Sequence, residues 1–415
     1  MLSSSSQSSH FSLFNRLLFY SFFLLSITLP WSLAAMQIAL VSTSLAAILM
    51  LVIEKRNFSL RHPFFLILGV YVFLRVLSAA LSPDPSTSFN ALYHTDWVIF
   101  PVVFLTAAPL SVSQTQKVLK GLLISAAVVA IYGIYQFAVG LDIFGHHLTP
   151  YNGWYRAVGG YNFYLTFAGN QLMALGMAFA FLLLPGKEKT VSRLYGLIAI
   201  ILFVSILGTF ARSAWLGFLV MIPLGILLMK PRWFIFVIPG IIVGGALAIW
   251  LIPALQTRFL SIFDVAQNET RITIWKTTWE MIKAHPVWGV GPGLYKPNFL
   301  IYKVPGYYDT YAHAHNDYLN MAANSGLMGF LSWLAVWGTW FYYSFRTLRL
   351  KSLSVGEQRI LLGGLLGLTG IFIAAFFQCY YTDLENNIFW WFLAVLNLQI
   401  ILKHTGMPTS PIGRK

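Results

Sequence analysis

The chain has little charge. Only 10% of its 415 residues are Asp, Glu, Lys or Arg, while 58% are apolar. Soluble globular domains carry roughly 25% charged residues, so an ordinary water-exposed fold is excluded. Acidic residues are scarcest, 13 against 27 basic ones. There is one cysteine, Cys379, which rules out an internal disulfide and says nothing about redox compartment. The ~10-residue alternating strands of an outer-membrane barrel are missing. So are internal repeats and, beyond a serine-rich start, low-complexity segments. What is present is an all-α integral membrane protein.

With ~20 residues needed to cross the hydrocarbon core, the apolar runs give about twelve transmembrane helices: Leu13–Pro30, Ala34–Ile53, Pro63–Leu81, Ala91–Ala108, Val118–Val139, Tyr164–Leu184, Leu194–Phe210, Ala214–Met229, Trp233–Ile252, Ser325–Phe345, Ile360–Phe377 and Ile388–Leu402. The start, "MLSSSSQSSHFSLFNR", has no small-residue cleavage site after its first apolar run, so the first helix is read as retained. Basic residues gather in alternate connections: Lys55, Arg56 and Arg61; Lys117 and Lys120; Lys187, Lys189 and Arg193; Lys230 and Arg232; Arg346, Arg349, Lys351 and Arg359; and the tail. The positive-inside rule makes that side, with both termini, cytoplasmic. The net charge of +14 is thus largely topology, and nucleic acid is not expected as a partner.

The chain therefore divides into residues 1–252 with nine spans, an outer segment 253–324, and residues 325–415 with three spans and a cytoplasmic tail. A connection as long as the outer segment is usually functional or disordered, and its Trp, Tyr and Ile content speaks against disorder. Within it, Ile272, Trp275, Trp279 and Ile282 recur at spacings of three and four. This predicts an amphipathic helix, capped by Asn268 or Thr270 and ended by Pro286, lying on the membrane or packed over the bundle. The following "VWGVGPGLY" imitates a nucleotide-binding loop but lacks a preceding strand and contains Pro292, so it is read as a tight turn.

Four polar groups on the outer side call for chemistry. Arg212, in the short turn "TFARSAW", suits a phosphate or diphosphate, or anchors the chain at the interface. Arg271 offers the same fork, or staples the loop through Glu269 or Asp264. Arg75 lies inside the third span, where charges are rare and face the interior; it holds a phosphate, pairs with Asp96, or snorkels outward. The stretch "YAHAHNDYLN" brings His313, His315, Asn316 and Asp317 together. If Asn316 or Asp317 caps the next helix, His315 sits just before its positive end, where imidazolium is disfavoured. A neutral imidazole is the state of a general base. A histidine that merely satisfies loop backbone, or a metal site from His313, His315, Asp317 and His285, are the alternatives; neither an H-x₃-H pair on a helix nor a cysteine pair supports metal.

In order, "GTFARSAWLGF", "RITIWKTTWEMIKAHPVWGVGPGLY" and "HAHNDYLNMAANSGLMGFLSWL" resemble the three signature segments of the O-antigen ligase family, which also includes O-antigen polymerases and pilin oligosaccharyltransferases. "RAVGGYNFYLTFAG" resembles its R-x-x-G segment, and "YYTDLENNIFWWFLAV" its closing acidic segment. The likeness covers the second half of the chain; the first half matches in hydropathy alone. It implies an inner-membrane glycosyltransferase, without cofactor or metal, acting on the periplasmic side. Its donor would be an undecaprenyl-diphosphate-linked glycan and its acceptor lipid A-core. The family's H-N histidine falls on His315, the general base, and its two arginines on Arg212 and Arg271, which with Arg75 would hold the diphosphate. His313, Asp317, Arg156 and Tyr311 would support them, Asp317 by orienting the histidine, and Tyr307, Tyr308 and Tyr311 by stacking on sugar. Ala211 stands where many relatives have serine. The rival within the family is a polymerase; outside it, a lipid-linked oligosaccharide transporter, for which the paired broken helices of two halves are not evident.

Overall fold

The computed structural model describes residues 3–55, 60–151, 153–186, 189–308 and 313–405. In chain order its helices are α1 (Ser3–Thr28), α2 (Leu33–Ile53), α3 (Pro63–Ala80), α4 (Pro85–Thr95), α5 (Ile99–Ala107), α6 (Val112–Val139), α7 (Tyr164–Leu183), α8 (Lys189–Gly208), α9 (Arg212–Met229), α10 (Phe234–Leu251), α11 (Pro253–Leu260), α12 (Val265–Ala284), α13 (Tyr295–Tyr302), α14 (Asp317–Leu348), α15 (Val355–Ala374) and α16 (Leu384–His404). Sheet among the described residues is one short antiparallel pair, β1 (Pro150–Tyr151) with β2 (Trp154–Tyr155).

Among the described residues, 7 helices are long and apolar enough to cross a membrane: α2, α3, α6, α7, α9, α10 with the turn before it, and α15. This agrees with an all-α membrane protein and is fewer than the twelve spans expected. Two of the differences have clear causes. Residues 91–108 do not form one span but two helices, α4 and α5, broken where Asp96 turns back toward Arg75. The 9 residues of α5 reach about 14 Å at ~1.5 Å each, under half of a ~30 Å core. The helix α16 carries Asn386, Asn387, Asn397 and Gln399 and is buried on every side from Asn386 to Leu402. It is the axis of the bundle, where amide side chains find partners: Asn397 donates to Leu361 O and Gln399 to Leu105 O.

The outer segment is largely helical. The helix α12 ends before Pro286, as expected, but begins earlier than predicted, so Asn268 and Thr270 lie within it rather than at its start. Its buried side overlaps the predicted stripe in part: Ile282 is buried and Trp275 packs against the same cluster. Ile274, Thr277, Thr278 and Met281 are packed against α13 and α14, whereas Ile272 and Trp279 are exposed at 39% and 54%. The threonines tolerate burial because their hydroxyls are satisfied: Thr278 Oγ1 donates to Ile274 O and meets the Tyr295 hydroxyl at 2.6 Å, and Thr277 meets that of Tyr308 at 2.9 Å. Apolar spacing alone therefore found only part of the buried face.

The glycine-rich turn braces a broken helix. At Gly326 (φ 63°, ψ −173°) α14 kinks, and the backbone groups it releases pair with residues 286–291: Val290 N donates to Ala323 O (2.8 Å), Gly291 N to Asn324 O (3.0 Å) and Leu327 N to Pro286 O (2.8 Å). Buried peptide groups must be paired somewhere, and here the turn pairs them. A Cβ on Gly326 would stand 2.2 Å from Val287 O. Gly326→Ala is therefore expected to destabilise the protein by more than the ~1–2 kcal/mol of a left-handed alanine, read as a lowered Tm in detergent.

Candidate functional site

Asn316 caps α14, its Oδ1 accepting from Leu319 N at 3.0 Å. His315, just outside the helix as expected, has φ 48°, a conformation that costs a non-glycine residue about 1–3 kcal/mol and persists only when neighbours enforce it. Two contacts do so. His315 N donates to His313 Nδ1 at 3.2 Å, and His315 Nδ1 lies 2.8 Å from Gln378 Oε1. The two imidazoles meet edge to face at 4.2 Å. An amide oxygen only accepts, so Nδ1 carries the proton and Nε2 the lone pair. That is the tautomer of a general base.

Gln378 was not among the expected residues. It lies in the loop from α15 to α16, 63 residues from His315. Asp317, expected to orient the histidine, does something else. Its carboxylate accepts from Tyr380 N (2.8 Å) and Tyr381 N (2.9 Å), and so fastens the loop that carries Gln378. Burial pushes the Asp317 carboxyl up to about 7 against the pull of those bonds. Burial, with His315 adding to it, holds His313 down at about 4, so His313 is neutral at physiological pH.

That depression has a consequence for stability. Unfolded His313 binds a proton below ~6.5 and the folded residue does not until about 4, so the unfolded state holds more protons in that window and stability falls as pH drops through it. By pH 5 the loss reaches about 2 kcal/mol. His313→Asn, which keeps an acceptor for His315 N, is expected to flatten the decline in Tm between pH 7 and pH 5.

The arginines are placed by the other half of the outer segment. Arg212 opens α9 directly after Phe210 (φ 54°) and Ala211. Its Nη1 donates to Ser261 O (2.8 Å) and Oγ (3.0 Å), and its Nη2 to Asn268 Oδ1 (3.0 Å). These partners are neutral and leave its charge uncancelled. Asn268 Nδ2 in turn donates to Ser261 O, Ile262 O and Asp264 O, so the start of α12 and the turn before it form one clamp. Arg271 follows on α12, and both guanidinium residues line a cavity of about 290 Å³ with Phe263, Trp275 and Phe377. Arg258 is close enough to repel Arg212, as is Arg271; its Nε holds Phe210 O at 3.0 Å.

One wall of this cavity backs onto the histidine turn. Trp275 Nε1 donates to Ala314 O at 3.0 Å, and its ring lies 6.0 Å from that of Phe377. Ala314 precedes His315, and Phe377 precedes Gln378.

Arg75 is not brought to Arg212 and Arg271. It is buried in a salt bridge with Asp96, Nε to Oδ2 2.8 Å and Nη2 to Oδ1 3.3 Å, and also donates to Ser325 Oγ. Its charge is thereby cancelled. It lines a second cavity, of about 250 Å³, with Thr95, Asp96, His313, Asn320 and Asn324. Arg156 lies 4.9 Å over the ring of Tyr151 and 4.3 Å over that of Tyr164, and Arg258 shares Tyr151 at 5.3 Å. Tyr308 is committed to Thr277 and Val304 O, and Tyr307 is exposed. Tyr311 lies outside the described residues. Among the described residues no three His, Cys, Asp or Glu side chains gather as a metal site.

No curated protein matches the chain. A family model described as O-antigen ligase matches residues 197–334, the stretch that carries Arg212, Arg271, His313 and His315. Members of that family are glycosyltransferase-like enzymes of the ligase and polymerase type.

Proposed function

We propose, from the match of residues 197–334 to a family model described as O-antigen ligase, that the chain transfers a glycan from undecaprenyl diphosphate to a sugar hydroxyl of lipid A-core. The site would lie on the periplasmic face of the inner membrane, with both termini cytoplasmic, on the strength of the Lys and Arg distribution. The observation that carries the reading is one cavity lined by Arg212 and Arg271, backed by the turn that holds His315 with its Nδ1 on Gln378.

In this mechanism the donor's diphosphate sits between Arg212 and Arg271. Their preorganised charge stabilises the negative charge that develops on the leaving diphosphate, the work a divalent metal does elsewhere. His315 Nε2 takes the proton of the acceptor hydroxyl as its oxygen attacks the anomeric carbon. The new C–O bond forms as the bond to phosphate breaks on the opposite side, which inverts the centre and releases undecaprenyl diphosphate.

A cell test separates ligase from polymerase. Deleting the gene is expected to leave long glycans on the lipid carrier and none on lipid A-core. Single repeats left on the carrier would make the protein a polymerase, and a full-length lipopolysaccharide ladder would refute both.

A further inference from the structure

The second cavity carries no part of the mechanism so far, although His313 lines it and meets His315 edge to face. We infer that it is the acceptor subsite, and that it holds one sugar ring by its hydroxyls. The inference rests on the transferase reading above.

Its lining is wrong for a diphosphate. Arg75 is cancelled by Asp96, and the other cation on the wall, Lys296, is a point charge without the planar fork that suits a diphosphate. It is right for a polyol. The Asp96 carboxylate is fixed by Arg75 and by Thr95 Oγ1 at 2.9 Å, which presents its remaining lone pairs in set directions. Asn324 Nδ2 is spent on Asn320 O (2.8 Å) and Oδ1 (3.3 Å). That leaves the Asn324 amide oxygen and the Asn320 amide nitrogen without a partner among the described residues, on the wall of a cavity. A fixed acceptor beside a fixed donor matches the neighbouring hydroxyls of a sugar, each of which both gives and takes a hydrogen bond. The volume of about 250 Å³ falls below the ~300–1,000 Å³ of drug-sized sites and suits a small polar ring.

Position makes the same point. His313 Nδ1 accepts from His315 N, so the proton of this neutral ring is on Nε2, a further donor for a sugar oxygen. The cavity therefore reaches His315 through His313, while the arginine cavity reaches the same turn through Trp275 and Phe377. Both cavities thus border the turn that carries His315, the base that an attacking acceptor hydroxyl needs.

The test is binding, measured on the full chain in lipid nanodiscs with two probes: core oligosaccharide released by mild acid from the source strain's lipopolysaccharide, and inorganic pyrophosphate. Asn320→Ala and Asn324→Ala are expected to weaken the oligosaccharide at least tenfold and leave pyrophosphate binding unchanged, which also shows that the variants are folded. Arg212→Ala is expected to do the reverse. Unchanged oligosaccharide affinity in both asparagine variants, or no oligosaccharide binding to the unaltered protein, overturns the inference. Oligosaccharide binding that depends on both asparagines, in a protein that ignores pyrophosphate, would refute the diphosphate reading and uphold the acceptor site.

Discussion

His315→Asn is expected to abolish nearly all transfer, a loss of about 10²–10⁴-fold, the contribution of a positioned general base. Asparagine is the informative substitution because the position has φ 48°. Asparagine adopts the left-handed region more readily than other non-glycine residues, so the turn survives while the base is gone. His315→Ala should fail as badly in rate and lose stability as well. In both variants the donor's KM should change little, because His315 does not line the arginine cavity. Gln378→Leu removes the acceptor that sets the tautomer and should lower kcat about tenfold or more, again with donor KM intact.

Arg212→Ala and Arg271→Ala should each cost about 10²–10³-fold in kcat, and unlike the histidine variants they should also raise donor KM and relieve inhibition by inorganic pyrophosphate. Arg212→Lys should not restore activity. The fork at Arg212 bonds Ser261 with one nitrogen and Asn268 with the other, and an ammonium is a point charge that cannot span both. Arg75→Ala should behave differently again. It leaves the half-buried Asp96 carboxylate without its cationic partner, which is destabilising, so the loss should appear first as a lower yield of folded protein.

Arg212, Arg271 and His315 stood out as candidates because charged and titratable residues are so rare in this chain, and the two arginines do line one cavity. The cap at Asn316 was legible from local chemistry, since an asparagine before an apolar run is a helix start. What failed needed contacts that sequence spacing does not encode. Gln378 is a glutamine at the end of an apolar run, and its bond to His315 spans 63 residues. Asp317 looked like the histidine's partner by adjacency, yet the helix start directs it to Tyr380 and Tyr381. Arg75 was correctly seen to face the interior with Asp96 as one of its readings, and what the spacing did not show is the break of the expected fourth span that turns Asp96 onto it. On α12 the threonines' hidden hydrogen bonds shifted the buried face part of the way off the expected stripe.

The most direct measurement is transfer in vitro: purified protein with undecaprenyl-diphosphate glycan and lipid A-core, in detergent with EDTA, beside His315→Asn and His313→Asn. The account predicts glycan on lipid A-core with an inverted linkage, lost with His315→Asn and only weakened, through a raised acceptor KM, with His313→Asn. Transfer that EDTA abolishes, or that survives His315→Asn, would contradict it.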